Sequence, residues 1–257
     1  MGIVPRMAPA AADLWRVLGS AARLWARPDL HQVADDWWTA FSGQRSVSYN
    51  LACCHSARAE LLSEHCLDPA LALKKPAIVM LAGPGLTTAQ KLVDSGWITV
   101  GALPLMTMRA PAPSAGDTAG ARALSRDELP LARRLLYDNY GIDDATAEAA
   151  VPDDAVERSD MSVWGFYAEG SMVSSVTTVV QEGLVVIWSM VTAAECQGRG
   201  YGRKLLEALL ARQFEEGASG SLLHSSRAGE KLYRQLGYDV VEYLQLWSRP
   251  RWALGVA

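Results

Sequence analysis

Residues 189–206 read SMVTAAECQGRGYGRKLL, and this stretch decides more of the fold than any other. A β-branched run ends at Val191, glycines recur at alternate positions from Gly198 to Gly202, and a Leu-rich amphipathic run follows. Alternate glycines let the backbone turn tightly and approach a ligand without obstruction by Cβ atoms. Amide groups at the start of a helix form a nest for anions such as a pyrophosphate. The stretch therefore predicts a strand, an anion-binding turn and a helix.

Arg199, Arg203 and Lys204 add positive charge to this glycine loop, residues 197–202. The pattern is not a P-loop, because the Gly-Lys-Ser/Thr ending is missing. It is not a dinucleotide fingerprint either, because no G-x-G-x-x-G follows the strand. A tight turn with a helix cap explains the glycines equally well. The loop alone therefore leaves ligand binding and simple turn formation open.

The chain around this loop alternates between strand-like and helix-like segments. Strands are predicted over 121–124, 163–168, 172–181, 184–191, 219–224 and 238–247, and helices over 126–140, 143–151, 202–216 and 228–236. The resulting order is β-α-α-β-β-β-α-β-α-β. Such an order predicts an α+β fold, a mixed sheet with helices on both faces.

The first half of the chain repeats the end of this pattern. A strand over 78–82, a helix over 87–95 and a closing strand over 98–108 match the last three elements of the second half. An offset of 141 residues aligns the two, and it places the strand over 184–191 on residues 43–50. Element matching with few identities is typical of an old duplication.

Residues 110–120 read APAPSAGDTAG, a composition typical of a linker. Charge differs on its two sides: residues 1–110 carry 10 Lys/Arg against 8 Asp/Glu, and residues 111–257 carry 14 against 20. We therefore predict two tandem α/β halves, residues 1–109 and 121–257.

The β-meander, the Q-x-x-G-x-G turn, its helix, and a closing unit with Leu232-Tyr233 before Gly237-Tyr238 together resemble the GNAT N-acetyltransferase superfamily. The resemblance covers about residues 120–248. It implies that the second half is a catalytic GNAT domain, that the first half is a degenerate GNAT-like copy, and that acetyl-CoA is the acyl donor, with no metal required.

The resemblance also implies three sets of cofactor contacts. The strand end pairs with the pantetheine, the glycine loop and the start of its helix hold the pyrophosphate, and a residue before the last helix bonds the cofactor arm. The residues are Met190, Val191, Thr192, Gln197, Gly198, Arg199, Gly200, Tyr201, Gly202, Arg203, Lys204 and Ser226. Two features depart from the usual pattern: Ser226 stands where the family often has Asn, and no Pro follows the strand.

The implied reaction is direct attack of a primary amine on the thioester. Tyr233 occupies the position of the family's general acid, which protonates the leaving thiolate. Glu195 and His224, near the ends of the two central strands, are candidates for the base. Each of the three has a structural alternative. Tyr233 is then a core-facing tyrosine, Glu195 a solvated loop carboxylate, and His224 a strand-end histidine bonded to backbone. A covalent acetyl-Cys196 intermediate is a further alternative.

At the offset of 141, the glycine loop falls on residues 56–61, which contain Glu60 and no glycine. We therefore expect the first half not to bind CoA and to help to form the wall of the acceptor pocket. Trp37, Trp38 and Tyr49 are candidates for that wall, with core packing as the alternative.

Residues 143–160 carry seven acids, which either attract a cationic amine or form a solvated face. The acceptor is expected to be a small molecule, an amino acid or a peptide amine. A non-catalytic acyl-CoA sensor is the alternative function, and acyl-CoA hydrolysis is a third.

Composition narrows the remaining classes. A net charge of −4 and a pI near 5.6 argue against a nucleic-acid partner. The longest uncharged stretch is too short and too interrupted by glycine to span a membrane, and no signal peptide is recognisable. The four cysteines do not resemble a disulfide framework, and although His55 and His65 lie beside Cys54 and Cys66, the absence of a C-x-x-C pair argues against a zinc site. We expect a cytoplasmic protein without membrane contact, monomeric or homodimeric.

Overall fold

The computed structural model describes residues 11–110 and 118–250. Its strands are β1 (His31–Val33), β2 (Trp37–Phe41), β3 (Asn50–Cys54), β4 (Ile78–Leu81), β5 (Ile98–Arg109), β6 (Ala121–Ala123), β7 (Met161–Ala168), β8 (Ser171–Gln181), β9 (Leu184–Thr192), β10 (Gly220–His224) and β11 (Asp239–Ser248). They form one sheet in the order β1-β2-β3-β4-β11-β5-β10-β9-β8-β7-β6. Only β3/β4 and β9/β10 are parallel pairs within it, so the sheet is mixed.

The helices are α1 (Ala11–Ala21), α2 (Ala59–Leu61), α3 (Asp68–Ala72), α4 (Ala89–Asp94), α5 (Leu129–Tyr140), α6 (Asp144–Ala150), α7 (Tyr201–Glu215) and α8 (Glu230–Gln235). Asp143 caps α6, because its side chain accepts a hydrogen bond from the backbone N–H of Thr146 at 2.8 Å. Gly141 ends α5 in the left-handed conformation, at φ +60°.

The closing strand of each half lies beside a strand of the other half. β5 pairs with β10, from Gly220↔Arg109 to His224↔Leu105. β11 pairs with β4, and β5 and β11 pair with each other. All three pairings are antiparallel. Two tandem units that each close their own sheet would not give this order, so the halves share a single sheet by exchanging their last strands.

Helices pack on both faces of the sheet, which confirms the expected fold class. Successive side chains of a strand point to opposite faces, so Leu222 and Leu223 belong to different cores. Helices α1, α5 and α6 share one face, while α7 and α8 cover the other face of the second half. On that second face, residues 62–72 and α4 cover the first half.

Helix α1 joins the two halves. It packs against β2 of the first half and β8 of the second. Arg16 forms an ion pair with Glu182 at 2.5 Å, and Arg23 forms one with Asp160 at 2.6 Å. Partly exposed pairs of this kind contribute little stability but fix orientation.

The predicted order of elements in the second half is confirmed, with ends that differ by a few residues. The offset of 141 places a strand on residues 43–50, and this prediction is wrong, because the corresponding strand β3 runs over Asn50–Cys54. Asn50 is buried, and its side-chain amide bonds the backbone of Gly43, Gln44 and Ser46, which holds this segment as a loop. The division at residues 110–120 stays a prediction, since residues 111–117 lie outside the described ranges.

Candidate functional site

Strands β9 and β10 are paired at one end only. Their register runs from Gly220↔Leu184 to Leu222↔Val186, although β9 continues to Thr192 and β10 to His224. At the paired end Tyr238 Oη donates to Ser221 Oγ, which donates to the carbonyl of Val185, each at 2.7 Å. Beyond Leu222 the strands separate. We call the gap between residues 187–192 of β9 and 223–224 of β10 the wedge.

A β-bulge interrupts β9 along the wedge. Ser175 pairs with Val191 and Thr177 with Trp188, so Ser189 and Met190 together face a single residue of β8. Ser189 has φ +51°, in the left-handed region. The bulge re-aims the backbone groups of the strand at the position where Met190 was expected to meet a ligand.

The three carbonyls expected to face pantetheine each accept a side-chain hydrogen bond. Tyr140 Oη donates to Met190, Ser174 Oγ to Val191 at 2.7 Å, and Gln197 Nε2 to Thr192 at 3.1 Å. Val191 also pairs with Ser175 of β8, whereas the carbonyls of Met190 and Thr192, each with two lone pairs, can accept from a second donor. The expected strand-like pairing remains compatible with this geometry.

The glycines of the loop are required for two different steric reasons, backbone conformation and close packing. Gly198 and Gly200 have φ +74° and +81°, and Gly200 caps α7. A Cβ at Gly202 would lie 2.9 Å from Cε of Met190 and 3.0 Å from Oγ1 of Thr192, so its absence lets α7 pack against β9. The N-terminus of this 15-residue helix, with its unpaired N–H groups, therefore begins beside the wedge.

The charged side chains of the loop differ in their surroundings. Arg199 is exposed. Arg203 pairs through Nε with Glu207 at 2.7 Å, and Glu207 is buried under the helix. Lys204 lies half-buried on the first turn of α7, and the ring of Tyr201 packs 5.3 Å from that of Phe166. The loop and the first turn of α7 therefore carry positive charge, and the charge of Arg203 is partly compensated by Glu207.

Tyr233 lies on α8 with its side chain buried against the second-half core. Burial raises the pKa of its phenol well above the usual value, and nearby Tyr238 and Tyr140 raise it further. Among the described residues its hydroxyl forms no hydrogen bond. A phenol with a raised pKa stays protonated at neutral pH, which is the state that an acid catalyst needs.

His224 ends β10, and its ring lies 5.2 Å from that of Trp188 across the wedge. Its Nδ1 atom is buried and unbonded within the described part of the chain. Burial lowers the pKa of the imidazole to about 4, because it disfavours the charged form. His224 is therefore neutral at physiological pH.

Glu195 and Ser226 lie at the margins. Glu195 is exposed in a single turn after β9, and no described residue pairs with it. Ser226 Oγ accepts from the N–H of Gly229 at 3.2 Å, so it caps the turn that leads into α8. The structure brings the glycine loop, the end of β9 and Tyr233 into one core cluster, while Glu195 stays in solvent.

Residues 159–240 match the GNAT acetyltransferase domain family. This part of the chain is therefore a GNAT acetyltransferase domain. Solved structures share this fold over most of the chain. A GCN5-related N-acetyltransferase from Kribbella flavida has a TM-score of 0.69 at 19% identity, covering 95% of this chain and 97% of its own. One from Sphaerobacter thermophilus has a TM-score of 0.61 at 15% identity, covering 84% and 78%. No curated protein matches the sequence significantly.

Two residues beside the wedge were missed by sequence reasoning. Tyr140, the last residue of α5, reaches Met190, and Trp25 packs edge-on against Trp188 with centroids 5.7 Å apart. The position of Tyr140 just before Gly141, the helix-ending glycine, was a usable signal. Trp25 gave none, because its partner lies far along the chain.

Tyr49, expected as wall or core, bonds Ser189 of the bulge through its hydroxyl at 2.9 Å. Trp38 is buried in the core of the first half, and Trp37 stacks on His65 with centroids 4.1 Å apart. Of the three aromatic candidates, Tyr49 alone is seen to contact the wedge within the described ranges.

The described residues of the first half lack the features that open the wedge. β3 and β4 stay paired from Leu51↔Ile78 to Cys54↔Leu81. A Cβ at Gly85 would lie 2.2 Å from the carbonyl oxygen of Cys54, so the chain after β4 closes over the end of β3. No wedge forms there, and four residues, 55–58, connect β3 to its helix where eight connect β9 to α7.

The acidic segment is partly neutralised. Asp153, Glu157 and Asp160 form ion pairs with arginines, and Asp143 caps a helix. Asp144, Glu148 and Asp154 remain exposed without an ion pair in the described ranges. A steering field for cations therefore comes mainly from these three carboxylates and from Asp143, whose pKa is lowered by its hydrogen bonds to Thr146.

Residues 11–110 and 118–250 contain no group of three or more His, Cys, Asp or Glu side chains arranged to hold a metal. None of the helices in the same ranges is long and apolar enough to cross a bilayer.

Proposed function

We propose that this GNAT protein is an acetyl-CoA-dependent N-acetyltransferase that acetylates a primary amine of a small molecule, an amino acid or a peptide. The single observation that carries the proposal is the wedge between β9 and β10, which opens beside the glycine loop and the N-terminus of α7. A strand-like ligand arm and an anion can be bound there together.

The residues present fit a CoA thioester. Gly198 and Gly200 adopt φ values that other residues rarely reach, and both sites are free of neighbouring atoms. Met190, Val191 and Thr192 would bind the pantetheine arm, residues 197–204 its pyrophosphate, and Ser226 its outer part. Acetyl-CoA supplies an activated acetyl group when bound.

Tyr233 is proposed to donate its proton to the departing sulfur. A thiolate whose conjugate thiol has a pKa of about 8.5 is a weaker base than a phenolate with a raised pKa, so the transfer is uphill by itself and the phenol first stabilises the departing sulfur as a hydrogen-bond donor. The phenol remains protonated throughout the physiological pH range. Backbone N–H groups near Met190 are proposed to stabilise the oxyanion.

Two residues are candidates for the base that deprotonates the amine. His224 is neutral and adjoins the wedge, so its imidazole is able to accept a hydrogen bond from the amine. Its low pKa makes it a weak acceptor of a full proton, whereas Glu195 is exposed and reaches the amine only through water. These properties favour one alternative, a non-catalytic acyl-CoA sensor on the same fold.

Thiol release from acetyl-CoA, followed with and without a panel of amines, tests the proposal. Release that requires an amine, with acetylated amine as product, supports the transferase. Release without amine indicates hydrolysis. Calorimetric binding of acetyl-CoA without any release indicates the sensor. Gly200→Glu serves as the binding-deficient control in each assay.

A further inference from the structure

Ser189 holds an unusual backbone conformation for its position. Four non-glycine residues in the described ranges have positive φ, and Ser189 is the one that lies inside a strand. Residues other than glycine adopt this region at a cost, so the surrounding structure must hold them there. The conformation creates the β9 bulge next to Met190.

The contact that holds Ser189 comes from the first half of the chain. Tyr49 Oη lies 2.9 Å from Ser189 Oγ, 140 residues away in sequence. Tyr49 is only 7% exposed, and Trp25 packs edge-on against it with ring centroids 5.6 Å apart. The same Trp25 packs against Trp188, which precedes the bulge. Tyr49 is therefore a rigid support rather than a mobile side chain.

The other residue of the bulge is held from the opposite direction. Tyr140 Oη donates to the carbonyl of Met190. Each of the two bulge residues thus has one tyrosine contact, one from the first half and one from α5. We propose that Tyr49 is a positioning residue for acetyl transfer: it holds Ser189 in the left-handed conformation and so aims the bulge backbone at the thioester.

This inference rests on the proposed function, in which an N–H near Met190 stabilises the oxyanion. Small displacements of such a donor lower the rate because its stabilisation depends on preorganised geometry. The first half therefore contributes to catalysis without binding CoA. Its contribution is a hydrogen bond to the strand that the second half uses for chemistry.

A double-mutant cycle tests the proposal. Tyr49→Phe removes the hydroxyl and is expected to lower kcat about tenfold, the scale of one lost hydrogen bond, with little change in KM for acetyl-CoA. Ser189→Gly keeps positive φ without strain and is expected to stay within about twofold of the parent. In the Ser189→Gly background, Tyr49→Phe should then lower kcat by less than about twofold, because glycine adopts positive φ without the hydrogen bond from Tyr49.

Tyr167→Phe is the control. Tyr167 is a half-buried tyrosine of β7 whose hydroxyl donates to Glu128 at 2.6 Å, and it takes no part in the wedge. It should lower the unfolding free energy while leaving kcat within about twofold. An undiminished effect of Tyr49→Phe in the Ser189→Gly background would overturn the inference, as would no effect in the parent.

A separate readout keeps the inference testable if the protein transfers no acetyl group. Calorimetry on the same four proteins compares the binding of acetyl-CoA with that of CoA, which lacks the thioester carbonyl. When residue 189 is serine, Tyr49→Phe should weaken the binding of acetyl-CoA about threefold and leave the binding of CoA unchanged. When residue 189 is glycine, it should change neither affinity. Equal loss for both ligands, or loss in both backgrounds, contradicts the positioning role. Absence of amine-dependent release in the parent contradicts the proposed function alone.

Discussion

The two parallel strand pairs of this protein, β3/β4 and β9/β10, begin alike and end differently. Both join a strand to a helix and then to a neighbouring parallel strand. β3/β4 stays paired to its last residues, whereas pairing in β9/β10 stops at Leu222. The open pair has three glycines in its loop and a bulge in its first strand, and the closed pair has neither. The candidate site therefore lies where the two strands of a parallel pair stop pairing.

The largest effect is expected from Gly200→Glu, which breaks the open pair's loop. A side chain at φ +81° is strained, and a carboxylate at the start of α7 repels phosphate, so acetyl-CoA affinity should fall at least about 100-fold. Calorimetry measures it, and the parent should bind one acetyl-CoA per chain.

Gly170→Glu is the matched control for this change. Gly170 has the same φ, +81°, and equally open surroundings, but it lies in the turn between β7 and β8. It should bind acetyl-CoA like the parent. Equal affinity of Gly200→Glu and the parent, or two equivalent sites per chain, would remove the basis of the comparison.

Tyr233→Phe tests whether the open pair carries chemistry or only binding. Loss of the phenolic proton donor should lower kcat about 100-fold and leave KM for acetyl-CoA nearly unchanged. Steady-state kinetics with an accepted amine measures both constants. Tyr243→Phe, which changes an exposed tyrosine on β11, should leave both unaltered. A rise in KM without loss of kcat would assign Tyr233 to binding.

Gly85→Ala tests why the other pair is closed. The new Cβ would lie 2.2 Å from the carbonyl oxygen of Cys54, and such overpacking costs about 3 kcal/mol of unfolding free energy. Gly96→Ala is the control, since Gly96 has φ +76° and nothing within 4 Å, and should cost about 1 kcal/mol. Urea denaturation compares them. Similar costs would show that closure does not depend on Gly85.

Local features were readable from sequence, and long-range features were not. Glycines 198, 200 and 202 and the periodic leucines of α7 predicted a turn and a helix, because both depend on neighbours along the chain. The exchange of β5 and β11 was missed, since a strand carries the same pattern whichever strand it pairs with. The error at residues 43–50 has a similar source: Asn50 organises a loop through contacts that an offset cannot reveal.

The Tyr49–Ser189 contact lies beyond sequence patterns for the same reason. A serine in a β-branched run predicts an ordinary strand residue, and nothing local indicates φ +51°. A tyrosine of the other half reaches the bulge and is proposed to hold it. The site therefore depends on both halves, although the recognisable motif lies in one.

The smallest effect concerns pH, at the mouth of the open pair. His224 has a pKa of about 4 when folded and about 6.5 when unfolded, so between these values the unfolded chain binds the extra proton. Stability from His224 is therefore complete above pH 6.5 and is lost as pH falls toward 4, by up to about 1.4 kcal/mol per unit. His224→Gln should remove this part of the pH dependence. Urea denaturation of both proteins at pH 7, 6 and 5 measures it as a difference, so carboxylates common to both cancel. A constant difference would show that the imidazole is solvated, and that the wedge is wetter at β10 than its buried Nδ1 indicates.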